Sequence, residues 1–92
     1  PQDPNEFGVK LQNKLDVELD IVLVYDAAVK REVMRELYFD IVPDDDVIYL
    51  AYEGDVLQVF VANTDTEVSE IEVKRDKYLY SISQIEMSGS EL

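Results

Sequence analysis

The amino-acid sequence predicts an all-β fold, an antiparallel β-sandwich of about seven short strands. Three observations predict it. Leu15 to Asp26 reads Leu-Asp-Val-Glu-Leu-Asp-Ile-Val-Leu-Val-Tyr-Asp and opens with strict apolar–acidic alternation. That is the period of a half-buried strand, whose successive side chains leave on opposite faces. Apolar or alternating runs recur along the chain, separated by turn-forming residues roughly every ten positions. The 92 residues are 47% hydrophobic, enough for one domain to bury about two-thirds of its unfolded surface without a metal or disulfide.

In chain order, Pro-Gln-Asp-Pro-Asn-Glu reads as an extended N-terminal tail over residues 1–6, and residues 7–86 as the domain. Phe7, Val9 and Leu11 alternate with Gly8, Lys10 and Gln12 as a first strand, and Asn13-Lys14 is a turn. The Leu15 strand follows, with Leu15, Val17, Leu19, Ile21, Leu23 and Tyr25 facing a core. Asp26 to Leu37 admits two readings. A helix over about 27–37 is supported by Asp26 as N-cap and by Val29, Val33 and Leu37 at i, i+4, i+8, and gives an α+β fold. Against it, Arg31/Arg35 and Glu32/Glu36 put like charges at i, i+4, and no residue stops a helix before Tyr38-Phe39-Asp40-Ile41. The strand reading makes a long hairpin that pairs Leu15 with Ile41, Val17 with Phe39, Leu19 with Leu37 and Leu23 with Val33. Only Arg35, opposite Ile21, spoils its inner face. Such cross-strand matching favours the hairpin.

Val42-Pro43-Asp44-Asp45-Asp46 ends that strand. Val47 to Tyr52 and Val56 to Ala62 are nearly continuous apolar runs, which predicts central strands. Glu53-Gly54 between them predicts a tight hairpin with Gly54 at positive φ. After a loop at Asn63 to Thr66, Val68 to Val73 and Tyr78 to Ile85 predict a last hairpin that pairs Val73 with Tyr78 and Ile71 with Tyr80. Residues 87–92 read as a flexible C-terminal tail.

Charge narrows the function. There are 21 acids against 8 bases, net −13. Nucleic acid and anionic membranes are repelled as direct ligands, while a basic protein or a hard cation is attracted. The same charge serves solubility and keeps strand edges apart. No apolar run approaches the roughly 18 residues of a membrane helix, so the chain reads as soluble. With no Cys and no His, there is no thiol or imidazole chemistry and no redox compartment to infer. Carboxylate catalysis needs a cleft and a raised-pKa acid, and no Gly-rich phosphate loop is present, so the chain reads as non-enzymatic.

Two acidic constellations stand out. Asp16, Glu18 and Asp20, about 6.6 Å apart on one strand face, form a row of negative charge. With Glu70 and Glu72 on the last hairpin, the row predicts a docking surface for a basic protein partner. An alternative is imitation of a phosphate backbone in the cleft of a DNA- or RNA-acting enzyme. The second constellation is Asp44, Asp45 and Asp46, with Asp55 and also Asp40 and Glu53 candidates to join them. Calcium takes about 6–8 oxygens from such loops, which makes it the one cofactor candidate, although the run lacks the spacing of an EF-hand loop. The six tyrosines serve core packing with hydroxyls at the rim, or partner contact. A further partner mode is strand addition at an exposed edge.

The run Asn13 … Tyr25-Asp26 … Pro43 … Tyr52-Glu53-Gly54 resembles the β domain of the von Hippel–Lindau family, a small sandwich that captures a hydroxyproline peptide. The resemblance implies the sandwich fold. This chain has no Trp and no His to match that peptide pocket, and no site or activity carries over. The sequence thus reads as a non-catalytic interaction module for a basic protein surface.

Overall fold

The computed structural model describes residues 3–84. It contains seven strands and, among the described residues, no helix. They are β1 (Glu6–Asn13), β2 (Leu19–Asp26), β3 (Arg31–Ile41), β4 (Asp46–Tyr52), β5 (Val56–Val61), β6 (Glu67–Glu72) and β7 (Leu79–Ile82). Two sheets pack face to face, one in the order β4-β1-β7 and one in the order β3-β2-β5-β6. The predicted sandwich is what forms. One pair departs from antiparallel: β7 runs parallel to β1, with Lys10 beside Leu79.

The segment after Asp26 is strand, as the cross-strand matching predicts, and its helical propensity shows in a single turn. Asp26 caps that turn: its Oδ1 accepts the Ala28 N–H at 3.1 Å, and its carbonyl accepts the Lys30 N–H at 2.8 Å. Lys30 then takes a left-handed conformation, φ 58°, which ends any helix. The chain returns as β3 beside β2, but in a different register from the expected one. Leu19 faces Ile41, Ile21 faces Tyr38 and Leu23 faces Arg35. β3 has 11 residues against 8 in β2, and three register shifts absorb the surplus. In this register Arg35 lies opposite Leu23 rather than Ile21, and its guanidinium reaches Asp26, Nη2 to Oδ2 at 3.3 Å.

β2 begins at Leu19 rather than Leu15, because the residues before it belong to a loop organised by Asn13. That side chain is fully buried and fully bonded. Its Nδ2 donates to the carbonyls of Val17 and Ile41, both at 2.8 Å, and its Oδ1 accepts the Leu15 N–H at 2.9 Å. A buried amide of this kind joins both sheets and needs every partner it has.

Two expected hairpins do not form. Gly54 has the positive φ the sequence calls for, 96°, yet the turn at Glu53-Gly54 crosses between sheets. β4 pairs with β1, and β5 lies between β2 and β6. The turn at Lys74 to Lys77 likewise carries the chain from β6 to the opposite sheet, so Val73–Tyr78 and Ile71–Tyr80 are not paired. Tyr80 explains the corner: its ring is buried, and its hydroxyl accepts the Lys74 N–H at 2.8 Å. One consequence is that β4 is an edge strand, not a central one, with Ile48 and Leu50 about half exposed.

The core lies between the sheets. Val9 and Leu11 of β1, Leu19, Ile21 and Leu23 of β2, and Leu57 and Val59 of β5 are all essentially inaccessible. Each side chain of this size contributes roughly 1.5–3 kcal/mol on burial. Of the tail expected over 1–6, Pro1 and Gln2 lie outside the described residues. Asp3 to Asn5 form a turn against the domain, held by the Tyr52 hydroxyl on Asp3 and by Arg75 Nη2 on the Asn5 carbonyl, and Glu6 pairs with Tyr52 in β1. The C-terminal tail expected over 87–92 lies outside the described residues.

Candidate functional site

The acidic row divides into members with different work. Asp16 and Glu18 are exposed on the loop before β2, so the three acids do not form one strand-spaced line. Asp20 is committed to the fold. Its Oδ1 accepts the Asp40 N–H at 3.0 Å and its Oδ2 the Asn63 N–H at 3.1 Å. Asp40 and Asn63 both lie in the left-handed region, at φ 56° and 64°. Asp20 therefore clips the bulge of β3 to the loop after β5. Glu70 and Glu72 are exposed on β6, and Glu72 is paired with Lys74 at 3.2 Å. Glu70 pairs with Gln58 on β5, which pairs with Val22 on β2. It thus stands about 10 Å from β2, two strand spacings away.

The calcium candidates are not brought together. Asp44 and Asp46 lie at one end of β4, near Lys14 and Lys10, at 3.5 Å and 4.0 Å. Asp55 lies past the other end, a strand length of roughly 20 Å away. It is only 1% exposed, and its oxygens already hold three donors. These are the Ala27 N–H at 2.8 Å, the Tyr52 N–H at 3.0 Å and the Tyr49 hydroxyl at 3.2 Å. Among the described residues, no three acidic side chains are grouped to hold an ion. The Asp55 cluster is a structural knot. Burial, with the Asp55 carboxylate beside it, pushes the Tyr49 phenol well above its ordinary range. At the surface, the hydrogen bond to Asp3 pushes Tyr52 up to about 12, and the same contact holds Asp3 below the usual carboxylate range.

The outer face of the four-stranded sheet carries a residue that sequence reasoning placed elsewhere. Phe39 was expected inside, opposite Val17; it is 58% exposed, and Met34 is 76% exposed. The bulges of β3 turn Phe39 outward, because each surplus residue reverses the alternation that follows it; Met34, between the inward-read Val33 and Arg35, is on the outer face in the uniform register as well. Two shallow depressions flank Met34. One, about 430 Å³, is lined by Val24, Val56, Gln58, Glu32 and Glu70 among others. The other, about 300 Å³, is lined by Val22, Phe39, Phe60, Glu36 and Asp65 among others. Neither lining includes a Lys or Arg. The one signal of an irregular register in the sequence is Arg35, a charge on the inner face of an otherwise apolar hairpin.

No family model, curated protein or solved structure matches this chain. No helix among the described residues is long and apolar enough to cross a membrane.

Proposed function

We propose that this domain is a non-catalytic interaction module that docks a basic protein surface. The observation that carries the reading is the uneven neutralisation of its acids. The ion pairs among the described residues engage Asp26, Asp44, Asp46 and Glu72. Asp16, Glu18 and Glu70 stand exposed with no cation within pairing distance among the described residues. Unneutralised surface charge on a chain of net −13 attracts a positive partner over about a Debye length and favours fast, salt-sensitive association. Asp20 is engaged by the Asp40 and Asn63 N–H groups instead.

The test is calorimetric titration of oligolysine and of purified basic proteins, at low and at high salt. Affinity should fall steeply with salt. The variant Asp16→Lys with Glu18→Lys and Glu70→Lys should weaken binding at least tenfold with its melting temperature retained. Absence of binding at low salt, or binding indifferent to the charge reversal, overturns the reading.

A further inference from the structure

The outer face of the four-stranded sheet has an order of its own. Across the strands, Glu36 pairs with Val22, Val22 with Gln58, and Gln58 with Glu70; in the neighbouring row Asp20 pairs with Phe60, and Phe60 with Glu67. The central strands β2 and β5 thus provide an apolar stripe of Val22, Val24, Val56 and Phe60, interrupted by Gln58 and bordered at one end by Asp20. The edge strands β3 and β6 provide acids on either side. Met34 and Phe39 rise from β3 beside the stripe.

Resting on the docking reading above, we infer that this face receives a cationic amphipathic helix of the partner protein. Three features fix that occupant. The first is width: from β3 to β6 is three strand spacings, about 14 Å, and a helix with its side chains is about 10–12 Å across. A helix laid along the stripe lies between the acidic rims, within reach of long Lys or Arg side chains. The second is length. Val56 and Phe60 serve the two depressions and are four residues apart, about 13 Å along the strand. Apolar positions i and i+7 of a helix are about 10.5 Å apart. One anchor enters each depression, and a small residue at i+3 or i+4 accommodates Met34.

The third feature is charge. Both depressions carry acids and no bases in their linings, so the flanks of the helix are basic. A second copy of this chain is a poor occupant, since it sets acidic rim against acidic rim at net −13 each. An anionic bilayer and a nucleic acid are repelled on the same ground. The face therefore sorts its partners twice, by an apolar stripe and by positive charge beside it.

The experiment uses the full chain and three synthetic peptides of equal length. One carries Leu at i, i+3, i+4 and i+7 with Lys on the flanks. The second is a scramble of the same composition, and the third is oligolysine. The Leu–Lys peptide should bind at least tenfold more tightly than either of the others. It should also shift the methyl resonances of Val22, Val24, Val56 and Met34. Met34→Thr with Phe39→Thr replaces exposed side chains and leaves the core intact; it should weaken the Leu–Lys peptide at least tenfold and leave oligolysine unchanged. Equal binding of peptide and scramble overturns the helix inference, as do shifts that map to the Ile48–Leu50 face instead. The docking reading survives either result if oligolysine binding still depends on Asp16, Glu18 and Glu70. Failure of all three peptides to bind overturns both.

Discussion

Replacing Asp20 by Ala separates the acid that holds the fold from the acids left open to a partner. Asp20 accepts two backbone N–H groups, from Asp40 at 3.0 Å and Asn63 at 3.1 Å. Hydrogen bonds to a charged group contribute about 1.5–3 kcal/mol each. Both bonds are at the surface, where water can replace the lost acceptor, so the lower end applies and the pair sums to about 3 kcal/mol. Relief of repulsion in so acidic a chain offsets a few tenths of this. For a domain of this size each kcal/mol moves the melting temperature by about 4–8 °C, so Asp20→Ala should melt roughly 10–20 °C lower. Asp20→Asn retains one acceptor and should fall about half as far. Asp16→Ala and Glu18→Ala remove side chains that accept no hydrogen bond among the described residues, and both should stay within about 0.5 kcal/mol of the parent. Thermal and urea unfolding followed by circular dichroism, at fixed ionic strength, measures all four. If Asp20→Ala falls within about 0.5 kcal/mol of the parent, the bulge needs no clip and the reasoning fails.

Four further outcomes follow from the same geometry. Asn13→Ala deletes three hydrogen bonds and strands buried carbonyls; a loss of about 3–4 kcal/mol should appear in the urea midpoint, and a loss below about 1 kcal/mol contradicts the bonding described. Asp55→Asn turns an amide N–H₂ toward existing donors and should cost about 2–4 kcal/mol, equally with calcium and with chelator; a cost confined to calcium buffer makes Asp55 a ligand instead. Calcium at hundredfold excess over a site of about 10 μM adds about 2.7 kcal/mol; with Asp55 so far from Asp44 to Asp46, melting at fixed ionic strength should rise far less. In alkali, Tyr38, Tyr49 and Tyr52 hold their protons above the ordinary phenol value of 10.0. The unfolded chain releases them first, so this contribution to stability is complete below that value and is lost as pH rises past it. Phenolate absorbance, assigned by Tyr→Phe variants, should place Tyr49 ionisation with unfolding. Its ionisation at the ordinary value in folded protein would count against the buried knot.

By itself the sequence determined that the chain is β, roughly where the strands fall and that Gly54 needs a positive φ, but not the left-handed residues Lys30, Asp40, Asp44 and Asn63. Period-two alternation marked the stretch that leads into β2, although its first four residues, Leu15 to Glu18, form a loop; Gly54 announced its positive φ, and Asp26 announced its cap. The apolar match of Leu19 to Leu23 against Val33 to Ile41 outweighed good helix formers at 27–37. These signals are local, carried by the geometry of a few neighbouring residues. The exposed acids at Asp16, Glu18 and Glu70 were legible for the same reason. Three things were decided only in the tertiary structure. Strand partners were one, because two apolar runs joined by a short turn read alike whether they pair or stack in opposite sheets, as at Glu53-Gly54 and at Lys74 to Lys77. The work of Asp20 was another, since its donors come from Asp40 and Asn63, distant in sequence. The outward turn of Phe39 was the third. Alternation reports a face only while the register is unbroken, and each surplus residue in β3 reverses it, so the place of Phe39 at the apolar stripe's edge emerged from how β3 was fitted against β2.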